Sequence, residues 1–378
     1  MNKTRVYFPN LNGLRFIAAL LVIIHHIEQI KAISGIDNYW NSVAFIGIIG
    51  KLGVVLFFVL SGFLITYLLL IEEYSYKRIS IKNFYIRRVI RIWPLYFLII
   101  ILAFSVLPNI SIFTLPGYSK DMVYENISLK LFLYAIFLPN IVLIVGGVVP
   151  YAAHTWSIGL EEQYYLLWPV FLNYFRQYRM LLMLLMVFMY SLFSTFLQTH
   201  YSDFIPHKNL ISTLWSTFNI NCMVIGGIYA VLLFQKSQLL KFFCNIHLFY
   251  STIALVFVLI LKGVLIPFIH YEFYSILFGI IILNFSVNKE IKLSLETSVL
   301  SYLGTVSYGI YIFHPIAIVF ALFIAIKINL LTNWFLYPFS IFLSIIMAGV
   351  SYKYFESFFL KFKNKFSPIL SGQNNSDS

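Results

Sequence analysis

Ten apolar runs long enough to cross a bilayer recur along this chain, near residues 12–30, 45–70, 90–107, 157–175, 181–199, 213–234, 247–265, 270–287, 299–325 and 333–352. A helix needs about 20 apolar residues to traverse the hydrocarbon core, and soluble folds do not string such runs together. The pattern predicts an all-α polytopic membrane protein of about ten transmembrane helices, with residues 1–366 forming a single membrane domain. Composition agrees, since 61% of the 378 residues are hydrophobic and only 11% charged, too apolar for a soluble core. An eleventh run, residues 129–149 (LKLFLYAIFLPNIVLIVGGVV), contains Pro139-Asn140 and a glycine pair. It is expected to be a re-entrant or interfacial segment, which membrane depth tolerates only where protein covers the backbone.

The formal net charge of +12 does not point to nucleic acid, because the Lys and Arg residues sit in short clusters between apolar runs. Lys3 and Arg5, the stretch from Lys77 to Arg88, Arg176 and Arg179, Lys236 and Lys241, Lys289 and Lys292, and Lys353 to Lys365 all fall on one side if residues 129–149 do not cross. The positive-inside rule makes that side cytoplasmic and puts both termini there, in an integral, multi-pass protein of the cytoplasmic (inner) membrane. If 129–149 crossed, there would be eleven spans and the Arg176–Arg179 loop would lie outside. No small-residue cleavage pattern follows the first run, which is expected to stay as a signal anchor. The polar tail 367–378 is expected to be a disordered cytoplasmic tail, with no soluble domain at either end. Cys222 and Cys244 have neither metal nor disulfide spacing.

Ionisable side chains inside a span are costly and are functional candidates by default. The first run, Leu11 to Ile27, holds Arg15, His25 and His26. Eleven residues of helix bring His26 back to within roughly 20° of the face of Arg15 and about 16 Å along the axis. The third run opens with Arg87, Arg88 and Arg91; Arg88 and Arg91, three apart, can address one anion, and a guanidinium fork suits phosphate. The fourth carries Glu161 and Glu162 behind Trp156 and Ser157. A buried carboxylate needs a partner, and His25, His26 and Arg15 are the candidates. In the second run Ser61 and Gly62 suit close helix packing around a cavity. In the ninth, Ser307, Tyr308, Tyr311 and His314 interrupt apolar sequence, and His314-Pro315 reads as a capped kink. His200, His207, His247 and His270 fall near span ends and call for no function. No metal-ligating cluster is visible.

Taken in order, LNGLRFIAALLVIIHHI, GVVLFFVLSGFLIT, FYIRRVIRIWPLYF, HTWSIGLEEQYYLLWPVF and LGTVSYGIYIFHP resemble the acyltransferase-3 family of integral membrane O-acyltransferases, from about residue 7 to 360. Arg15 and His26 match the family's basic residue and histidine separated by ten residues. Arg88 and Arg91 match its Arg-x-x-Arg element, and Trp156, Ser157 and Glu161 its Trp-Ser-Leu-x-x-Glu element. The resemblance implies transfer of an acyl group, most often acetyl, from cytoplasmic acyl-CoA to a hydroxyl of an envelope or extracellular carbohydrate, lipid-linked or not. Acetyl-CoA would be the donor and no metal is required. On this reading Arg88, Arg91 and Arg15 hold phosphates, His26 acts as base or nucleophile, and Glu161 orients His26. The family often has Asp where this chain has Asn12, and Glu-Pro-Phe where it has Glu356-Ser357-Phe358; neither position is expected in the chemical centre. Some relatives carry a fused extracytoplasmic esterase-like domain. Without one, this protein either finishes the reaction or passes the acyl group to a separate extracytoplasmic transferase partner. The alternative is a proton-coupled transporter or flippase of a polysaccharide precursor or small metabolite, although no internal repeat is visible.

Overall fold

The computed structural model describes residues 5–367 and 369–371. Helices α1 (Leu11–Ile33), α2 (Ala44–Tyr76), α3 (Ile81–Ile101), α4 (Trp156–Tyr174) and α5 (Arg179–Leu197) follow the first five expected runs. The other five are α6 (Ile220–Phe234), α7 (Ile246–Leu261), α8 (His270–Val287), α9 (Ser307–Lys327) and α10 (Asn333–Ser351). Among the described residues, eight helical stretches are long and apolar enough to cross a membrane, and the protein is an all-α polytopic membrane protein. The other two of the ten runs are α4, whose apolar sequence is diluted by Glu161 and Glu162, and α7, which has 16 residues. Helix α3 runs on through a π turn at Leu102–Val106, and α10 through another at Tyr352–Glu356.

The 129–149 segment folds as two short helices, Ile127–Ala135 and Pro139–Val145. Phe137, with φ of 59°, and Pro139 break them apart. At 1.5 Å per residue they are roughly 14 and 10 Å long, too short to span. The chain therefore returns to the side it left. Arg176 and Arg179, between α4 and α5, both pair with Glu73 near the end of α2, at 2.8 and 2.6 Å. That places the Arg176–Arg179 loop on the face that carries Lys77 and Arg78, as the ten-span count requires.

Helix α1 starts from Asn10, held at φ 65°. Its side chain accepts from the Leu295 amide at 2.7 Å and donates to the Phe285 carbonyl at 3.1 Å. Where α2 crosses α6, glycines let the backbones touch. A Cβ on Gly62 would lie 1.9 Å from the Met223 carbonyl oxygen, and one on Gly226 would lie 2.2 Å from that of Val59. Neither obstacle is a movable side chain, so Gly62→Leu is expected to destabilise by about 3 kcal/mol or more. The thermal midpoint of the detergent-solubilised protein should fall well below that of a lipid-facing control such as Leu167→Ala.

Of the expected tail, residues 367–378, the structure describes 367 and 369–371. Arg87 Nη1 donates to the Phe366 carbonyl at 2.8 Å, Ile369 is buried, and Leu370–Ser371 pairs in parallel with Arg5–Val6. Residues 368 and 372–378 lie outside the described residues.

Candidate active site

A cavity of about 670 Å³ opens among α1, α2, α3, α4, α9 and the end of the chain. Its walls carry five basic side chains, Arg5, Arg15, Arg88, Arg91 and Lys363, against two carboxylates, Glu161 and Glu356. The arginine cluster of α3 divides in two. Arg87 points away from the cavity and is satisfied by Glu72 at 3.1 Å as well as by Phe366. Arg88 and Arg91 face the cavity. Arg88 lies over the rings of Phe84 and Tyr165, 5.5 and 5.6 Å from their centroids, and its Nε is buried without a partner. Contact with aromatic rings together with donor capacity to spare suits a guanidinium that waits for an anion.

Arg15 faces the same cavity from α1, and its Nη1 donates to Asn12 Oδ1 at 3.1 Å. Asn12 itself lines the cavity, as does Glu356, which accepts from Ser351 at 3.1 Å. Both departures therefore lie at the cavity wall, although Asn12 is 14 residues of helix, about 21 Å, from His26. Asn12 is one helical turn before Arg15, and Ser357 adjoins Glu356 at the end of the π turn. The expected partners of Glu161 are a histidine or Arg15, but its hydrogen bonds among the described residues go to other groups. Glu161 accepts from Tyr165 at 2.6 Å and from Ser61 at 3.1 Å. Ser61, Tyr308 and Tyr311 line the cavity.

At its inner end the cavity meets Ser157 and Tyr311, whose hydroxyls are 2.7 Å apart; the Tyr311 hydroxyl also donates to the His154 carbonyl at 2.6 Å. Beyond this pair lies a layer of histidines. His26 and His314 have ring centroids 4.8 Å apart, and His314 and His154 5.1 Å. His26 Nδ1 is 2.9 Å from the Val22 carbonyl, and His314 Nδ1 is 2.6 Å from that of Tyr311. A carbonyl only accepts, so both Nδ1 atoms carry the proton, and in neutral rings Nε2 presents a lone pair. His26 Nε2 has no hydrogen-bond partner among the described residues, and the residue is half-buried.

His25 is spent differently. Its Nδ1 donates to the Ile46 carbonyl at 2.7 Å and its ring packs 4.7 Å from Trp40. It fills the space left by Gly50, where a Cβ would come within 2.4 Å of it. Sequence reasoning reduced His314 to a kink and passed over His154; the structure sets both beside His26. The available signal was that His154 and His314 both belong to the segments that carry the family resemblance, unlike His200, His207, His247 and His270. Among the described residues no group of three or more His, Cys, Asp or Glu is arranged to hold a metal ion.

The fold and site define an all-α membrane protein with a basic cavity that meets a histidine layer. The profile of the acyltransferase-3 family, described as an acyltransferase domain, matches residues 8–353, and the chain belongs to that family. It is similar to the peptidoglycan O-acetyltransferase OatA of Listeria monocytogenes, with 31% identity over 46% of this chain and 25% of the relative. The O-acetyltransferase OatA of Staphylococcus aureus shows 30% identity over 44% of this chain and 25% of the relative. The acyltransferase MdmB of Streptomyces mycarofaciens shows 29% identity over 46% of this chain and 41% of the relative. These matches span between a quarter and two fifths of the relatives' lengths. No solved structure matches.

Proposed function

We propose that this protein is a membrane O-acyltransferase that moves an acyl group, foremost acetyl, from cytoplasmic acyl-CoA to a hydroxyl of a cell-envelope or extracellular carbohydrate. The observation that carries this reading is the cavity of about 670 Å³, with Arg15, Arg88 and Arg91 in its walls and His26 beyond its inner end. Its volume falls within the usual range of small-molecule sites. The donor set fits acyl-CoA, whose phosphates supply anions for Arg88, Arg91 and Arg15, none of which forms a salt bridge among the described residues. The names of the relatives point to O-acetyl transfer as the chemistry.

In the proposed step His26 Nε2 takes the proton of the acceptor hydroxyl as its oxygen bonds to the thioester carbonyl carbon. The carbon–sulfur bond breaks, and the proton passes from His26 to the departing CoA sulfur, leaving an ester and CoA–SH. The acyl end would have to pass the Ser157–Tyr311 pair to reach His26. Glu161, tied to Ser61 and Tyr165, would balance the arginines and shape the wall beside the thioester. The charge clusters support a cytoplasmic (inner) membrane location with both termini inside. The acceptor is a carbohydrate, lipid-linked or polymeric, reached directly or through a separate extracytoplasmic transferase.

Purified protein in detergent or nanodiscs, given acetyl-CoA, is expected to release CoA–SH and acetate in a manner that requires His26, with water taking the place of the acceptor hydroxyl. A carrier or flippase would bind its cargo and leave the thioester intact, and that result would overturn the reading.

A further inference from the structure

The histidine layer contains a feature that the reaction scheme leaves unused. His26 Nδ1 lies 3.3 Å from His314 Nε2 as well as 2.9 Å from the Val22 carbonyl, so its single N–H is shared between two acceptors. His314 Nε2 can accept because His314 Nδ1 is committed to the Tyr311 carbonyl at 2.6 Å. That carbonyl therefore fixes the tautomer of His314, and His314 in turn faces His26 with a lone pair.

A base that takes a proton at Nε2 becomes an imidazolium, and its positive charge spreads to Nδ1–H. Enzymes that use such a base usually place a carboxylate there. Here the carboxylates on the neighbouring helices are engaged elsewhere. Glu161 is bonded to Ser61 and Tyr165. Glu28, on α1 itself, accepts from Lys31 at 2.7 Å, from Tyr337 at 2.6 Å and from the Tyr39 amide. His314 is fully buried, held from below by its bond to Tyr311 and packed against His154. A neutral imidazole in that place supplies an acceptor without the cost of burying an unpaired anion.

We propose that His314 is the positioning residue of His26, fixing its ring with Nε2 toward the acceptor and accepting from Nδ1–H as charge develops. The inference rests on the reading of His26 as the base. The bond it invokes strengthens in the transition state, so its loss falls on turnover rather than on acyl-CoA binding.

The test uses the purified full chain, acetyl-CoA as the probe, water as the acyl acceptor and release of CoA–SH with acetate as the readout, with thermal midpoints taken in parallel. His314→Gln can place an amide oxygen near the position of Nε2, whereas His314→Asn reaches only the position of Nδ1. His314→Ala and His314→Asn are expected to lower kcat about 10- to 100-fold, the range set by one hydrogen bond to a charged group, with KM for acetyl-CoA within about twofold of wild type. His314→Gln is expected to recover most of the loss. If His314→Ala matches wild type while His26→Ala is inactive, the inference fails and the acyltransferase reading stands. If folded Ala, Asn and Gln variants are equally impaired, His314 acts through packing alone and the inference again fails. Wild-type protein that releases no CoA–SH, or His26→Ala that releases it at the wild-type rate, overturns the base reading and this inference with it.

Discussion

Replacing Arg88 and Arg91 together with alanine is expected to weaken acetyl-CoA binding by roughly 10²- to 10⁴-fold, since each hydrogen-bonded guanidinium–phosphate contact contributes about 1.5–3 kcal/mol. Equilibrium binding of labelled acetyl-CoA to the purified protein measures it. The neighbouring Arg87 provides the contrast. Its guanidinium is buried against Glu72 at 3.1 Å, and its removal leaves that carboxylate uncompensated, a loss of about 3–5 kcal/mol in stability. Arg87→Ala is therefore expected to lower the thermal midpoint, with affinity nearly unchanged in the fraction that remains folded. If Arg87→Ala, well folded, weakened binding more than the double variant, the assignment of the phosphate site would be wrong.

His26→Ala is expected to lower CoA–SH release by about 10²- to 10⁴-fold, the usual worth of a positioned general base. The KM for acetyl-CoA should change little, because His26 lies beyond the cavity walls. His25→Ala is expected to act in the opposite sense, with modest loss of turnover and a larger loss of stability. Its N–H is tied to the Ile46 carbonyl and its ring occupies the space against Gly50. Initial rates at saturating acetyl-CoA, set beside melting curves, separate the two histidines. Reversed outcomes would shift the chemistry to His25.

The fold was legible because lipid imposes one rule along the whole chain: apolar runs become helices, and cationic clusters stay on one face. The same rule located the exception at 129–149, where Pro139 and the glycines could not continue a span. The site was legible to the extent that cost marks function. Arg15, Arg88, Arg91 and Glu161, found by asking which charges lipid would exclude, converge on one cavity. Pairing was not legible, because partners come from helices far apart in sequence. Glu161 meets Ser61, 100 residues away, and His26 meets His314, 288 residues away. Nor could spacing divide Arg87 from Arg88, since the division depends on Glu72 and on the tail segment that folds back to meet Arg87. His314 was masked by its own proline, which gave the residue a sufficient local explanation.

The central claim is that a group carried on CoA crosses this protein to a carbohydrate hydroxyl by way of His26. Its most direct test is the fate of radiolabelled acetyl-CoA added to the cytoplasmic face of inverted membrane vesicles holding wild-type or His26→Ala protein at equal levels. Ester-linked label in the polysaccharide or glycolipid fraction of the wild-type vesicles, released by mild base and missing from the His26→Ala vesicles, is the expected result. Label of equal amount in both would contradict the account.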